Sequence, residues 1–198
     1  MEFSTIVFWL ALLGLALWVI AIYNRLVALR NRYLNAFAQI EVQLKRRYDL
    51  IPNLVNTAKG YLQHERETLE AVTRARNEAL SVLEQVGAGA GGGEAMTRLA
   101  GAENALQAAL GKLNVTLEAY PDLKADQTMQ QLSEELTNTE NRVAFARQGY
   151  NDAVMAYNSY RQSFPQLVLA GTFGHPADAS LLEFDDSAQI QVAPQVSF

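Results

Sequence analysis

The feature that most constrains this chain is an uncharged apolar run near its start. Residues 6–23 read IVFWLALLGLALWVIAIY, without one Asp, Glu, Lys or Arg. In an α-helix this run spans about 27 Å, close to the ~30 Å hydrocarbon core of a bilayer. A cleavable signal peptide would carry Lys or Arg ahead of the run, whereas Met-Glu-Phe-Ser-Thr precedes it here. We therefore predict that residues 1–23 form a short N-terminus and an uncleaved transmembrane anchor, with Ile6, Trp9, Gly14, Trp18 and Tyr23 in the span.

Charge is distributed unevenly along the rest of the chain. Residues 24–50 carry six cations and two acids, whereas residues 51–198 carry ten cations and 18 acids. Arg25, Arg30 and Arg32 directly follow the apolar run, so we predict that they contact lipid headgroups. The positive-inside rule then places the N-terminus outside and the rest of the chain in the cytoplasm. The overall net charge of −5 argues against a nucleic-acid partner.

Apolar residues recur at three- and four-residue spacing through most of the chain, which is the pattern of amphipathic helices. We predict an all-α fold: a transmembrane helix followed by a long antiparallel up-and-down bundle at residues 24–165, with coiled-coil-like seams. The bundle contains three to four helices, at about 24–50, 50–86, 95–119 and 126–164. One stripe begins Leu26, Leu29, Tyr33, Phe37, Ile40, Leu44, Tyr48 and Ile51.

Pro52 interrupts this pattern at the junction of the first two predicted helices. Asp49 is a candidate cap for a new helix that begins at Leu50. The chain either kinks or reverses there, and the apolar phase, which continues unbroken past the proline, favours a kink.

Glycine and proline mark the other boundaries. Residues 87–93 read GAGAGGG, which predicts a flexible connection. They also satisfy G-x-G-x-x-G, but that fingerprint needs a preceding strand, and a helix precedes it here. Asp126 is a predicted cap of the last long helix, and Pro165 stops it. Residues 166–198 are predicted to form an extended, irregular C-terminal tail.

Few residues are candidates for chemistry. The chain has no cysteine, and no Glu-x-x-His pair of the kind that builds di-iron sites occurs. His64 lies in His-Glu-Arg-Glu-Thr on a predicted long helix, which resembles the phospho-accepting histidines of sensor kinases, although no nucleotide-binding domain accompanies it. Glu65 and Arg76 interrupt the apolar seam and are interpreted as charges that pair across helices. We therefore predict no enzymatic activity, no cofactor and no metal.

The last residues alternate between apolar and polar side chains. Ile190, Val192, Val196 and Phe198 share one face of an extended peptide. Such a peptide can be a disordered tail, pack on a neighbouring copy, or add as a strand to a partner's sheet. It is the candidate partner-docking element.

Two segments resemble the LemA family of bacterial membrane proteins. They are AQIEVQLKRRYDLIPNLVNTAKGYLQHERETLEAVTRARNEA (38–79) and ENRVAFARQGYNDAVMAYNSYRQSFP (140–165), and the final PQVSF is also similar. The resemblance implies an N-terminally anchored helical bundle without established enzymatic activity. Some members are associated with membrane organisation, and others occur beside TPM-domain proteins, which would place the body outside the cytoplasm. The glycine-rich connection and the His-Pro segment of the tail depart from the family pattern.

Three functional hypotheses follow. The first is a self-assembling scaffold or interaction protein of the bacterial inner membrane, whose partners are the bilayer, further copies of the chain and a membrane or envelope protein. The second is a phospho-relay protein that uses His64. The third is an adaptor for a membrane enzyme or protease that docks through the C-terminal tail.

Overall fold

Four long helices and two short ones make up the body of the protein. The computed structural model describes residues 2–62, 64–89 and 92–184, and those residues contain no strand. The helices are α1 (Glu2–Lys59), α2 (Arg66–Gly89), α3 (Gly93–Glu118), α4 (Pro121–Ala125), α5 (Gln127–Gln162) and α6 (Gln166–Ala170). Because short connections join the long helices, successive ones run antiparallel as an up-and-down bundle. The predicted all-α class is confirmed.

The core lies where α1 packs along α5 and α2, and where α2 packs along α3. The stripe of α1 supplies much of it, since Ile40, Leu44 and Tyr48 are each 0% exposed. A second, smaller cluster joins Ile22, Leu26 and Leu29 of α1 to Tyr157 of α5 and Ala170 of α6. Apolar side chains at three- and four-residue spacing therefore become one buried face, as the periodicity predicts.

At Pro52 the chain continues, as the favoured alternative predicts, and does not reverse, but the predicted helix boundary is absent. α1 passes through the proline and ends only at Lys59, so no helix begins at Leu50 and Asp49 is not a cap. Proline removes the N–H that would bond the carbonyl four residues earlier, which is that of Tyr48. Here the Arg76 Nε donates to the Tyr48 carbonyl oxygen at 3.0 Å. Arg76 thus replaces the missing backbone donor, and α1 continues.

The predicted helix at 50–86 is therefore wrong: the chain reverses between α1 and α2. The amides of Tyr61 and Leu62 both bond the Ala58 carbonyl oxygen, at 3.0 and 2.9 Å. The turn buries Leu62 to 2% exposure, and α2 then buries Leu69 to 4%. Because the turn keeps apolar residues in phase with the helix before it, the sequence pattern runs through the reversal without a break.

The remaining boundaries lie closer to prediction. The glycine-rich connection is shorter than the predicted 87–93, because α2 extends to Gly89 and α3 begins at Gly93. Asp126 caps α5 as predicted, since its Oδ1 accepts a hydrogen bond from the Met129 amide at 2.9 Å. Two short helices, α4 and α6, were not predicted. Proline stands immediately before α6 and is the first residue of α4, where its fixed φ suits a helix start.

Candidate functional site

The first third of α1 extends beyond the body and packs against almost nothing. Ile6, Trp9 and Trp18 are 57%, 61% and 50% exposed, and Tyr23 is 44% exposed. A side chain built at Gly14 would meet no atom within 4 Å. This part of α1 is long and apolar enough to cross a membrane, and only 6% of its most apolar window is buried in the protein. A helix that is apolar on every side and left uncovered is typical of a membrane span.

The three arginines predicted to contact headgroups follow on the same helix. Arg25, Arg30 and Arg32 are all exposed. The Arg30 charge also reaches the C-terminal part of the chain. Burial lowers the pKa of His175, and the positive charges of Arg30 and Arg161 lower it further.

The most organised polar arrangement lies on α5, where side chains hold residues 175–184, here called the docked tail. The Asn158 side chain forms two hydrogen bonds with the Ala179 backbone, each 2.9 Å long. Asn151 binds Leu182 in the same way, at 2.9 and 3.1 Å. Asn151 and Asn158 are two helical turns apart and therefore share one face of α5. Each side-chain amide thus donates to the carbonyl oxygen and accepts from the amide of one tail residue, as a residue of a neighbouring strand would.

Tyrosine and arginine side chains complete the contact. The Tyr150 hydroxyl donates to the Ser180 carbonyl oxygen at 2.8 Å, and the Tyr157 hydroxyl lies 3.0 Å from His175 Nδ1. Arg161 donates from Nε to the His175 carbonyl oxygen at 2.9 Å and pairs with Asp178 at 2.6 Å. We call Tyr150, Asn151, Tyr157, Asn158 and Arg161 the tail-docking face.

The docked tail also carries apolar anchors. Leu182 is 0% exposed and Phe184 is 7% exposed, so both join the main core. The Arg147 guanidinium lies 4.2 Å from the Phe184 ring centroid, in cation–π geometry. Through residue 184 the tail is therefore an integral layer of the fold. The predicted docking residues Ile190, Val192, Val196 and Phe198 lie outside the described residues.

A buried ionic cluster joins α1 to α3. Arg47 and Glu103 are 3% and 1% exposed, and the Arg47 Nη1 lies 3.1 Å from Glu103 Oε2. The Tyr48 hydroxyl donates to the other carboxylate oxygen. Burial raises the pKa of Glu103, while Arg47 and the Tyr48 hydrogen bond oppose the rise. Since every partner is a side chain of the bundle, the cluster fixes the register of the two helices.

A shallow groove of about 540 Å³ runs between α1 and α5. Ala36, Gln43 and Ala146 line it, and Phe145, which also lines it, is 79% exposed. Gln43 Oε1 is buried and accepts no hydrogen bond within the described part of the chain. The groove is thus mostly apolar with one unsatisfied acceptor.

The structure changes the interpretation of His64 and of the charged residues Glu65 and Arg76. His64 lies in the exposed turn between α1 and α2, so its predicted place on a long helix is wrong. Arg76 does connect two helices, by its bond to Tyr48 and by a 3.9 Å pairing with Asp49, whereas Glu65 lies in the turn. Across residues 2–62, 64–89 and 92–184, no group of three or more His, Cys, Asp or Glu is arranged to hold a metal.

Sequence reasoning missed the tail-docking face. Tyr150 and Tyr157 of this face are buried, at 2% and 3% exposure. The repeated Tyr-Asn pair, seven residues apart, was the available signal. Two identical polar pairs on one face of a helix predict a common ligand, here the chain's own backbone.

Known proteins resemble this chain over most of its length. The family model described as "LemA family" matches residues 36–198. Protein LemA of Metamycoplasma hominis is 26% identical over 164 residues, covering 82% of this chain and 70% of that protein. Magnetosome protein MamQ 2 of Paramagnetospirillum magneticum is 29% identical over 166 residues, covering 75% of this chain and 60% of its own length. Magnetosome protein MamQ of Magnetospirillum gryphiswaldense is 26% identical over 179 residues, which cover 81% of this chain and 66% of that protein. Since the family model covers both the bundle and the tail-docking face, this chain belongs to the LemA family.

Proposed function

We propose that the protein is a non-enzymatic, membrane-anchored scaffold of the bacterial plasma membrane that presents its helical body for assembly. One observation carries the proposal: the same helix is exposed and apolar over its first third and buried in the core over its last third. Because one continuous helix contains both parts, the body is attached rigidly to the membrane span. The magnetosome proteins among the relatives are in keeping with a role at a membrane.

α1 supplies the rigid connection. Its 58 residues extend for roughly 87 Å, of which the apolar run accounts for about 27 Å. α1 is continuous from the span into the core, and Arg76 replaces the hydrogen-bond donor that is lost at Pro52 within the core part. The body is therefore held at a defined height and direction.

The arginines beside the span set its depth. Arg25, Arg30 and Arg32 lie within about three turns of its end, where anionic headgroups contribute about 1 kcal/mol for each basic residue. By the positive-inside rule, we propose that the body is cytoplasmic.

Self-assembly is proposed to use the groove between α1 and α5. Phe145 protrudes there, and a second copy would cover its ring. A membrane anchor favours this contact, because it confines all copies to one surface with their bodies in the same orientation.

Cysteine labelling tests the anchor and its orientation, because the natural chain has no cysteine. Phe3→Cys and Val115→Cys place thiols at positions that are 81% and 71% exposed, one at each end of the proposed topology. In spheroplasts, a membrane-impermeant maleimide is expected to label residue 3 and to reach residue 115 only after lysis. The reverse pattern would contradict the orientation, and release of the intact chain by alkaline carbonate would contradict the anchor.

Disulfide trapping tests self-assembly. Under mild oxidation in membranes, Phe145→Cys is expected to form a cross-linked dimer, whereas Val115→Cys on α3 serves as the equally exposed control. A monomeric mass in mild detergent, together with no cross-link at residue 145, would overturn the proposed assembly.

A second function, that of an adaptor, is supported by the docked tail. Because Leu182 and Phe184 are buried, the described part of the tail is held on the body up to residue 184. Deletion of residues 195–198 is expected to abolish capture of a membrane enzyme or protease partner. Retention of every partner after the deletion would remove the adaptor role.

A further inference from the structure

We propose that α6 and the residues beside it lie in the interfacial layer of the bilayer, as a second membrane contact that does not span. This inference rests on the proposed membrane anchor and adds a lipid-binding surface to it. The surface consists of Phe164, Leu167 and Val168, here called the interfacial patch.

The first observation is where the fold places α6. Ala170 of α6 is 1% exposed and packs in the small cluster with Ile22, Leu26 and Leu29 of α1. The Phe173 ring meets the Tyr23 ring edge-on, with 5.4 Å between centroids. Tyr23 and Ile22 are the last residues of the apolar run. The contacts therefore fix α6 beside the end of the span.

The second observation is the outward face of this segment. Phe164, Leu167 and Val168 are 84%, 54% and 69% exposed. Their neighbours Ala170 and Phe173 point the other way, onto α1. The segment is thus apolar on both its protein face and its outer face. A patch of this kind on a water-soluble surface would be unfavourable.

The third observation is the lack of charge. Residues 164–174 read FPQLVLAGTFG, without one Asp, Glu, Lys or Arg. Elsewhere on the body, large exposed apolar residues such as Val115 and Met155 are flanked at short range by charged or amide side chains. The uncharged stretch lies beside Ile22 and Tyr23, where the apolar run of α1 ends.

The level of α6 also matches the interfacial layer. The α1 residues that share a cluster with α6, Ile22 to Leu29, rise by about 10 Å along the helix. Amphipathic segments that lie in the bilayer interface bury their apolar face by about 5–10 Å. The interfacial patch thus lies within reach of the acyl boundary while its backbone stays among the headgroups.

Two attachment points would fix the rotation of the body about the axis of α1. A single span leaves the body free to rotate about the helix axis, whereas a contact beside the span selects one rotation. The docked tail begins at His175, seven residues after Val168, so the same contact orients the tail-docking face relative to the membrane.

Spin labelling of single cysteines in the full chain, reconstituted in lipid nanodiscs, tests this proposal. Labels at Val168→Cys, Leu12→Cys and Val115→Cys probe the interfacial patch, the span and the distal body. Collisions with oxygen, which partitions into lipid, are compared with collisions with a water-soluble nickel chelate. All three positions are exposed in the protein, so labelling leaves packing intact.

We expect the label at residue 168 to lie between those at residues 12 and 115, with clearly more oxygen and fewer nickel collisions than at residue 115. If residue 168 resembles residue 115 while residue 12 remains in lipid, the interfacial patch is refuted and the anchor stands. If residue 12 is itself exposed to the chelate, the anchor fails and the interfacial patch fails with it.

Discussion

The two ends of α1 differ both in apolar content and in surroundings. Over residues 3–21 nearly every side chain is exposed, and the apolar residues cover the whole circumference. Over residues 40–58 they form one stripe, and Ile40, Leu44 and Ala58 on that stripe are 0% exposed. The comparison shows that a lipid-facing segment is apolar around its whole circumference, whereas a core segment needs only one apolar stripe.

The largest effect should come from the buried charges that only the core end possesses. Glu103→Ala leaves Arg47 buried without its carboxylate and removes the acceptor of Tyr48, so the free energy of unfolding should fall by about 3–5 kcal/mol. Chemical denaturation in detergent measures it. Glu94→Ala, at an exposed position of α3, is the control and should change little. Equal stability of the two variants would contradict a structural role for the cluster.

A matched pair of leucines compares the two ends directly. Leu44 is 0% exposed and Leu12 is 47% exposed. Leu44→Ala should destabilise the bundle by about 2–5 kcal/mol through the cavity that it leaves. Leu12→Ala should leave bundle unfolding unchanged, since this side chain contacts no core residue. A comparable loss of stability in Leu12→Ala would indicate that the first third of α1 packs against protein.

A smaller, local effect is expected at the tail-docking face. Asn158→Ala removes both hydrogen bonds to Ala179 and should cost about 1–3 kcal/mol of local stability. Amide hydrogen exchange of residues 176–184 should accelerate while that of α2 is unchanged. Asn138→Ala, an exposed asparagine of the same helix, provides the comparison. Unaltered exchange in Asn158→Ala would show that the tail does not depend on this clamp.

The smallest effect is expected from the protonation of His175 in the docked tail. His175 has its pKa lowered from 6.5 by burial and by the charges of Arg30 and Arg161. A detached tail therefore binds a proton more readily than a docked one, so docking is strongest above pH 6.5 and weakens as the pH falls below it. Hydrogen exchange of residues 175–184, corrected for intrinsic pH dependence, should rise on acidification. His175→Gln should abolish the rise; a rise of equal size in that variant would assign it to another group.

Much of the helical architecture could be predicted from periodicity and capping. The apolar stripe that contains Leu44 and the Asp126 cap both follow from local rules. The reversal between α1 and α2 could not be predicted, because Leu62 of the turn and Leu69 of α2 are both buried in phase with the preceding helix. Periodicity reports which residues face the core and carries no information on where the chain reverses.

The site depends on contacts between distant residues. Arg76 donates to the Tyr48 carbonyl oxygen from 28 positions away, and Asn151 binds a backbone 31 positions away. No rule of local spacing specifies such pairs. Likewise, the FPQLVLAGTFG segment looks like an irregular tail until its contact with Tyr23 is known.

The most direct test of the central claim is a nitroxide scan along α1 in nanodiscs, with one label at each position from 6 to 21 and from 40 to 55. We expect every label in the first set to favour oxygen over the nickel chelate, and the second set to alternate between buried and aqueous with the period of a helix. Access of the chelate to residues 6–21 would contradict the account, because the exposed end of α1 would then lie in water.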